Sequence, residues 1–331
     1  MEKNREASYP SELVIKVNEV FHDVEESDYD EKHPEIFKQE GERWQRVFKD
    51  ILVQRTQAPV TLLDIGVGTG FVPVQIAHLF KEHDKLICSD LSAKMLDVCK
   101  KNTEQIEADV TFEYLKLDGK TIDIESSLCK FVTMNSVVHH VPELASFFTE
   151  IDRVLKPHGY IVIGHEPNKL FHENGLLWWN YRFLSIIIRT DRWKSNIKKA
   201  IKSILRKFGI IPLRGGNNEQ TKPESQNHQN REINRRLLQK KEITDPLSDK
   251  QIAEIVDIHS PTAGGFHKDR GIIVEEIIKQ YLPGYSIHTF ETYNHLCKIS
   301  SRNGFTIWLC SVLKKMYPKQ GSTFFTVLKK P

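Results

Sequence analysis

The chain has 331 residues, of which 39% are hydrophobic, and its formal net charge is +3. It is long enough to bury a full core and to be an enzyme, and it contains no run of the ~18 apolar residues that would span a bilayer. The charged N-terminus is not followed by an apolar run, which argues against a secretory signal. Five scattered cysteines without a C-x-x-C pair suggest neither a disulfide framework nor a metal site, and we expect a cytoplasmic protein.

The first predicted elements are helices, followed by a strand and a glycine loop. Residues 11 to 57 are rich in helix formers and should roof whatever site the following segment builds. Thr61 to Leu63 is a short apolar run that ends at Asp64, and the sequence Gly66-Val67-Gly68-Thr69-Gly70 follows it. Apolar residues then recur with the pattern of a buried helix. This order of strand, glycine turn and helix is the opening of a doubly wound α/β sheet.

Asp64 decides what the glycine loop can hold. The spacing is G-x-G-x-G, whereas dinucleotide-binding loops have G-x-G-x-x-G. A carboxylate at the end of the strand would face a bound pyrophosphate at close range, and like charges in a partly dry cleft repel. A ligand that carries an ammonium and a sulfonium group has no such conflict.

The second predicted strand ends in another acidic residue. Lys85 to Ser89 forms the strand and Asp90 follows, twenty residues after Gly70. An acid at this place can accept hydrogen bonds from both hydroxyls of a ribose. The next helix begins after Leu91, with Ser92 as its N-cap and Met95 placed to touch an adenine face.

Two histidines follow the predicted fourth strand, Lys130 to Met134. His139 and His140 should lie at the carboxyl edge of the sheet, where ligands of such folds bind. Either histidine could act as a general base near neutral pH, or could instead pack or cap the next helix. Because successive helical residues diverge by ~100°, we expect at most one to face the reacting group, and we expect no metal site from this pair.

The predicted fifth strand, Tyr160 to Gly164, is followed by His165 and Glu166. Glu166 should face the same cleft as the two histidines. It could act as a base, could bind a substrate hydroxyl, or could have an ordinary role in the loop.

Four stretches together resemble a known family. They are LLDIGVGTG, ICSDLSAKMLDVCKKN, FEYLKLDGKTID and FVTMNSVVHHVPELASFFTEIDRVLKPHGYIVIGHEP. The chain from about 58 to 167 thus resembles class I S-adenosylmethionine-dependent methyltransferases, of the small-molecule type found in ubiquinone and menaquinone biosynthesis. The resemblance implies a Rossmann-like, mostly parallel seven-stranded sheet with an antiparallel last strand, an N-terminal helical lid, and S-adenosylmethionine as cofactor.

The resemblance also implies roles for particular residues. Asp64 and the glycine loop would surround the methionine part of the cofactor, Asp90 would bind the ribose and Asp118 the adenine amino group. Tyr29 would cover the methionine end, unless its segment is an ordinary helical extension. The predicted cofactor-binding residues are Tyr29, Asp64, Gly66, Gly68, Gly70, Asp90, Leu91, Met95, Asp118, Gly119, Asn135 and Ser136, and the predicted catalytic residues are His139, His140 and Glu166.

The chain is longer than this family requires, and the excess forms an insertion. We predict a lid at 1–57, the first part of the core at 58–167, a helical insertion at 168–265 and the last helices and strands at 266–331. The last two strands are predicted at Tyr285 to Tyr293 and at Ser322 to Leu328.

The insertion has a basic part and a polar part. Ten lysines and arginines lie between Asn180 and Arg214, with Asp191 as the one acid. The segment 176–208 could lie in a membrane interface, could pack as a lid helix, or could steer an anionic substrate. Residues 215–232 are polar and predicted to be mobile, with order resuming at a capping pattern of Ser248 and Gln251. The glycine-containing loop between His259 and His267 could return to the mouth of the site.

The function that these patterns predict is methyl transfer from S-adenosylmethionine to a small-molecule or lipid-like acceptor. One alternative is a nucleic-acid methyltransferase that grips phosphates with the basic segment. The sequence Asn135-Ser136-Val137-Val138 argues against it, because enzymes that methylate base amino groups usually carry Asn/Asp-Pro-Pro-aromatic there. Another alternative is a cofactor-binding protein without transferase activity.

Overall fold

The structure is a computed structural model that describes residues 9–25, 40–53, 59–185, 223–267, 269–297 and 304–331. Within these ranges, no helix combines the length and the apolar character needed to cross a membrane. Tyr29, which was predicted to bind the cofactor, lies outside the described residues, as does most of the basic segment 176–208.

In the described ranges, seven strands form one sheet in the order β3-β2-β1-β4-β5-β7-β6. Their bounds are β1 Thr61–Ile65, β2 Asp84–Asp90, β3 Val110–Lys116, β4 Cys129–Asn135, β5 Leu155–Pro167, β6 Ser286–Tyr293 and β7 Thr323–Lys329. Strand β7 runs antiparallel to both of its neighbours, and the other pairings are parallel. The predicted doubly wound, mostly parallel sheet with an antiparallel last strand is therefore confirmed.

Helices surround the sheet and also occur in the described parts of the insertion. They are α1 Ser11–Glu25, α2 Gly41–Val53, α3 Phe71–Ile76, α4 Ala93–Thr103, α5 Leu144–Val154, α6 Lys169–Glu173, α7 at 175–185, α8 Pro223–Gln239, α9 Asp249–Val256, α10 Val274–Tyr281 and α11 Gly304–Met316. Ser92 caps α4 as predicted, since its hydroxyl accepts from the Met95 amide. Ser248 and Gln251 form the predicted capping box at the start of α9.

Both faces of the sheet are buried, which explains the continuous apolar runs of its central strands. Along β5, Ile161 and Ile163 face a core that includes α5 and α10, while Tyr160 and Val162 face a core that includes α2 and α3. This alternation follows from the two-residue period of a strand. The sheet is thus a rigid platform whose carboxyl edge can hold side chains in fixed positions.

The described part of the polar segment is helical, and residues 215–222 lie outside the described ranges. Helix α8 begins at Pro223 and continues to Gln239, before the capping box at Ser248. Its Ile233 and Leu237 are fully buried against Val14 and Val17 of α1 and against α9. This helix was difficult to predict from the sequence because a few apolar side chains are enough to pack it on α1, which is distant along the chain.

A second cluster connects the start of the insertion to the end of the chain. Phe171 of α6 and Leu177 of α7 pack with Leu296 and with Leu313 of α11. Helices α7 and α11 are therefore neighbours, although they are more than a hundred residues apart in sequence.

Candidate active site

The glycine loop follows β1 at the carboxyl edge of the sheet. Gly66, Gly68 and Gly70 all have positive φ, at 65°, 53° and 93°, a region that residues with a side chain rarely adopt. At Gly66 an added Cβ would lie 2.6 Å from the side chain of Val137. The loop can therefore follow this path, close to the segment after β4, only with glycine.

Asp64 lies beneath the loop and is only 2% exposed. Its Oδ1 accepts a hydrogen bond of 2.6 Å from the hydroxyl of Thr133, whereas its Oδ2 has no partner among the described residues. Burial, together with the repulsion of Asp90, raises the pKa of Asp64 to about 8 although the Thr133 bond opposes this shift. A buried carboxylate with one free oxygen is unfavourable alone and would be stabilised by a cation.

Asp90 ends β2 beside the same loop. Its Oδ2 accepts from the amide of Gly68 at 2.9 Å, and its Oδ1 accepts from the amide of Ser92 at 2.8 Å. Each oxygen keeps a further lone pair. Burial raises the pKa of Asp90, while the neighbouring His22 and these amides oppose the rise. The carboxylate can thus accept two more hydrogen bonds from a ligand in the adjoining cavity.

The cavity has a volume of about 370 Å³ and lies between the carboxyl edge of the sheet and α1. Many of the predicted site residues line it together. These are Gly66, Gly68, Asp90, Leu91, Met95, Gly119, Asn135, Ser136 and His140. Asp64, Gly70, Asp118, His139 and Glu166 do not line the cavity.

Glu166 is fully buried, and its contacts are those of the loop role that the sequence left open beside the role of a base. Its Oε1 accepts from the amides of Val137 and Val138 at 2.7 and 2.8 Å. Its Oε2 accepts from His139 through the amide at 3.2 Å and through Nδ1 at 2.7 Å. With both oxygens bonded inside the protein, Glu166 holds the loop after β4 in place.

The two histidines after β4 differ in environment. His139 donates through Nδ1 to Glu166. Burial lowers the pKa of His139, but the Glu166 carboxylate raises it, and the net shift is upward. His140 lines the cavity and donates through Nδ1 to the carbonyl of Val256 at 2.6 Å, because a carbonyl can only accept. Burial, with the nearby His139 and His22, holds the pKa of His140 well below its usual range. His140 is therefore neutral, with a lone pair on Nε2.

Comparison with known proteins agrees with this geometry. Residues 63–163 match the family described as "Methyltransferase domain". The matched residues run from β1 into β5 and include the glycine loop and Asp90, so this part of the chain resembles a methyltransferase domain.

Curated methyltransferases are similar to this chain at low identity. A demethylmenaquinone methyltransferase from Oceanobacillus iheyensis is 27% identical over 154 residues, which are 46% of this chain and 63% of the relative. The phosphoethanolamine N-methyltransferase 2 of Caenorhabditis elegans is 27% identical over 157 residues, 47% of this chain and 34% of the relative. The chain therefore spans less than two thirds of the length of each of these two relatives.

Solved structures of methyltransferases are similar over more of the chain. One from Methanosarcina mazei covers 85% of this chain and 96% of its own, with a TM-score of 0.41 and 14% identity. A putative methyltransferase from Bacillus halodurans covers 86% of this chain and 97% of its own, with a TM-score of 0.40 and 14% identity.

Asp118, which the resemblance assigns to the adenine amino group, is not among the residues that line the cavity. It is exposed, and its carboxylate accepts from the amides of Lys120 and Thr121 at 2.7 and 2.8 Å. These backbone bonds lower the pKa of Asp118. Asp118 thus stabilises its own turn, while the adjacent Gly119 lines the cavity.

Gly70 also lies outside the cavity lining and shapes the glycine loop. It is the N-cap of α3, and its amide donates to the carbonyl of Val67. A Cβ at this position would lie 3.0 Å from the Sγ of Cys99 in α4. Gly70 therefore allows the loop to pack closely on that helix.

Helix α1 contributes residues to the cavity that were missed in the sequence. Ile15, Asn18 and His22 line it, and Ile15 packs directly on Gly119. Asn18 is 2% exposed, its Nδ2 donates to Val14, and its Oδ1 has no partner within the described ranges. An asparagine on the apolar face of an amphipathic helix was the available signal, because a buried amide needs a partner.

Proposed function

We propose that this chain transfers the methyl group of S-adenosylmethionine to a small-molecule or lipid-like acceptor. The observation that carries the proposal is the pair of available acceptors of Asp90 at the cavity, together with the free, buried oxygen of Asp64 under the glycine loop. An ammonium group would satisfy Asp64, and ribose hydroxyls would satisfy Asp90. S-adenosylmethionine carries both kinds of group, whereas a nicotinamide dinucleotide would bring a pyrophosphate toward Asp64.

The bound cofactor would supply a methyl group on a positively charged sulfur. The protein's task is then to align the acceptor, exclude water and, where the acceptor atom carries a proton, remove it. Among the three predicted catalytic residues, we assign that last role to His140, because it is neutral and lines the cavity. His139 and Glu166 act behind it by holding the loop after β4.

Two considerations support a small acceptor. The relatives are named for methylation of demethylmenaquinone and phosphoethanolamine, both small molecules. The cavity of about 370 Å³ is also lined by apolar residues such as Leu117, Ile122 and Phe147, which suits the planar or apolar parts of small ligands.

Titration calorimetry tests the proposal. We expect S-adenosylhomocysteine to bind with 1:1 stoichiometry and NAD not to bind. Asp64→Asn should weaken binding at least tenfold, because it removes one charge-assisted contact with almost no change of shape. Asp109→Asn, in an exposed turn, is the matched control and should bind like the wild type. Preferential binding of NAD, or full affinity in Asp64→Asn, would contradict the proposal.

We also propose that helices α7 and α11 contact the surface of an anionic membrane. Leu176, Trp179 and Phe183 recur on one face of α7 and are 56–73% exposed. On α11, Phe305, Trp308 and Met316 are 58–61% exposed. Aromatic side chains are favoured at the level of lipid headgroups, and cationic side chains favour anionic lipids. Such cations are present beside both faces, at Arg182, Lys314 and Lys315.

Vesicle flotation tests the membrane contact. The wild type should float with vesicles that contain phosphatidylserine and remain at the bottom with pure phosphatidylcholine. The triple variant Trp179→Ser, Phe183→Ser, Trp308→Ser should lose most of the recovery. Val53→Ser with Val74→Ser, which removes exposed apolar side chains elsewhere, is the control. Equal recovery of the two variants would refute this surface, and the proposal for methyl transfer would be unaffected.

A further inference from the structure

The insertion reaches the active site through a short segment after α9. The amide of His259 donates to the carbonyl of His139 at 3.0 Å, and the ring Nε2 of His259 donates to the carbonyl of Val141 at 2.9 Å. With the bond from His140 to Val256, these contacts fix 256–259 against the loop after β4. Asp257 is thereby brought beside the two adjacent histidines.

The three side chains present a compact set of donor atoms. Asp257 Oδ1 lies 3.3 Å from His140 Nδ1 and 3.7 Å from His139 Nε2. One ligand atom from each residue lies within 4.8 Å of the other two. A tetrahedral zinc ion with bonds of 2.0–2.2 Å separates its ligand atoms by about 3.4 Å. Only small side-chain movements would thus be needed to enclose an ion.

Glu166 supplies the supporting contact that such a site requires. Metal-bound histidines usually donate their other ring N–H to a carboxylate or a carbonyl, which fixes the tautomer and aims the free nitrogen. His139 donates through Nδ1 to Glu166 at 2.7 Å, so the lone pair of Nε2 is left for the side that faces Asp257. Glu166 is itself fixed by the amides of Val137 and Val138. An isolated surface pair of histidine and aspartate would not need this buried support.

We propose that His139 Nε2, His140 Nδ1 and Asp257 Oδ1 bind a divalent transition metal ion of the zinc type. Two imidazoles and one carboxylate suit zinc, cobalt or nickel, whereas calcium and magnesium prefer oxygen ligands alone. The three protein ligands leave a fourth position for water or another ligand. His140 must give up its bond to Val256 to bind the ion through Nδ1, and its ring proton then moves to Nε2.

This change of tautomer has a consequence that rests on the proposed function. In the metal-free protein, Nε2 of His140 carries a lone pair beside the cavity and can accept a proton. In the metal-bound protein, the same nitrogen carries a hydrogen and can only donate.

Zinc binding to the full chain tests the site without reference to activity. After EDTA treatment and dialysis, competition with a chromogenic zinc chelator should reveal one tight site. Cobalt should give visible absorption bands typical of tetrahedral coordination. Asp257→Asn, at a side chain that is 39% exposed, should weaken zinc affinity at least tenfold, as should His139→Gln. Asp245→Asn, an exposed aspartate in the same insertion, should bind like the wild type.

Two outcomes would overturn the proposal. One is the absence of any site tighter than about 100 µM, and the other is a tight site that persists unchanged in Asp257→Asn. Binding of S-adenosylhomocysteine is measured on the same samples. If that binding is normal while zinc fails to bind, the metal site alone is rejected. If zinc binds and S-adenosylhomocysteine does not, the proposed function alone is rejected.

Discussion

Asp64 is a buried acid, so its protonation depends on whether a positively charged group of a ligand lies beside it. The raised pKa of about 8 means that the free protein holds a proton on this carboxyl at neutral pH. A bound ammonium group would favour the ionised form and release that proton. Asp64, which distinguishes this loop from a phosphate-binding loop, therefore also predicts that ligand affinity depends on pH.

We expect the affinity for S-adenosylhomocysteine to rise with pH up to about 8 and then to level off. Below this pKa the ligand must displace a proton from Asp64, and the affinity changes by at most about tenfold per pH unit. Calorimetry at pH 6, 7 and 8 measures the slope, and buffers of different ionisation enthalpy count the released protons. In Asp64→Asn both the slope and the proton release should be reduced. A variant that keeps the full slope would show that another group titrates.

The backbone of Gly66 is a second constraint at the level of one residue. Gly66→Ala places a Cβ in the left-handed region, at a cost of about 1–2 kcal/mol, and pushes it against Val137. We expect a lower free energy of unfolding in urea and weaker binding of S-adenosylhomocysteine, because the loop must shift. Gly175→Ala has open space around the new Cβ and should change neither quantity. Equal behaviour of the two variants would contradict the constraint.

At the level of elements, helix α1 is a wall of the cavity and part of a helical layer with α8 and α9. The sequence predicted helices in residues 11–57, since helix formers are a local signal. It did not separate α1 from α2, whose Trp44 and Phe48 pack on the sheet instead. It also missed α8, because two well-placed apolar residues in a polar segment are a weak local pattern. Partners that are distant in the chain decide such helices.

Two adjacent leucines in α8 provide a matched test of this layer. Leu237 is fully buried against α1 and α9, whereas Leu238 is 36% exposed. Leu237→Ala should destabilise the helical layer by about 2–4 kcal/mol and weaken binding of S-adenosylhomocysteine, because α1 loses support. Leu238→Ala should have little effect on either quantity. Thermal melts and calorimetry measure both, and similar results for the two variants would mean that the layer does not support the cavity.

For the whole molecule, the sequence was most informative where the residues that form a feature are close together along the chain. The strands, the glycine loop, Asp90 and the capping of α4 could be predicted because apolar runs, glycines and acids follow one another within 58–167. The role of Glu166 could not, because its partners are backbone amides that only the folded loop brings together. Asp257 was missed for the same reason, since more than a hundred residues separate it from the histidines that it approaches.

The cavity joins the sheet to the helical layer, so a ligand in it should stabilise both. One wall is the carboxyl edge of the sheet at Gly66 and Asp90, and the opposite wall is α1, which is packed on α8 and α9. We expect S-adenosylhomocysteine to slow amide hydrogen exchange in the glycine loop and also throughout α1 and the buried parts of α8 and α9. Exchange in β6 and α11, which lie outside the cavity, should not change. Protection restricted to the glycine loop would mean that α1 does not close on the ligand, whereas protection that reaches α8 would identify the insertion as part of the lid.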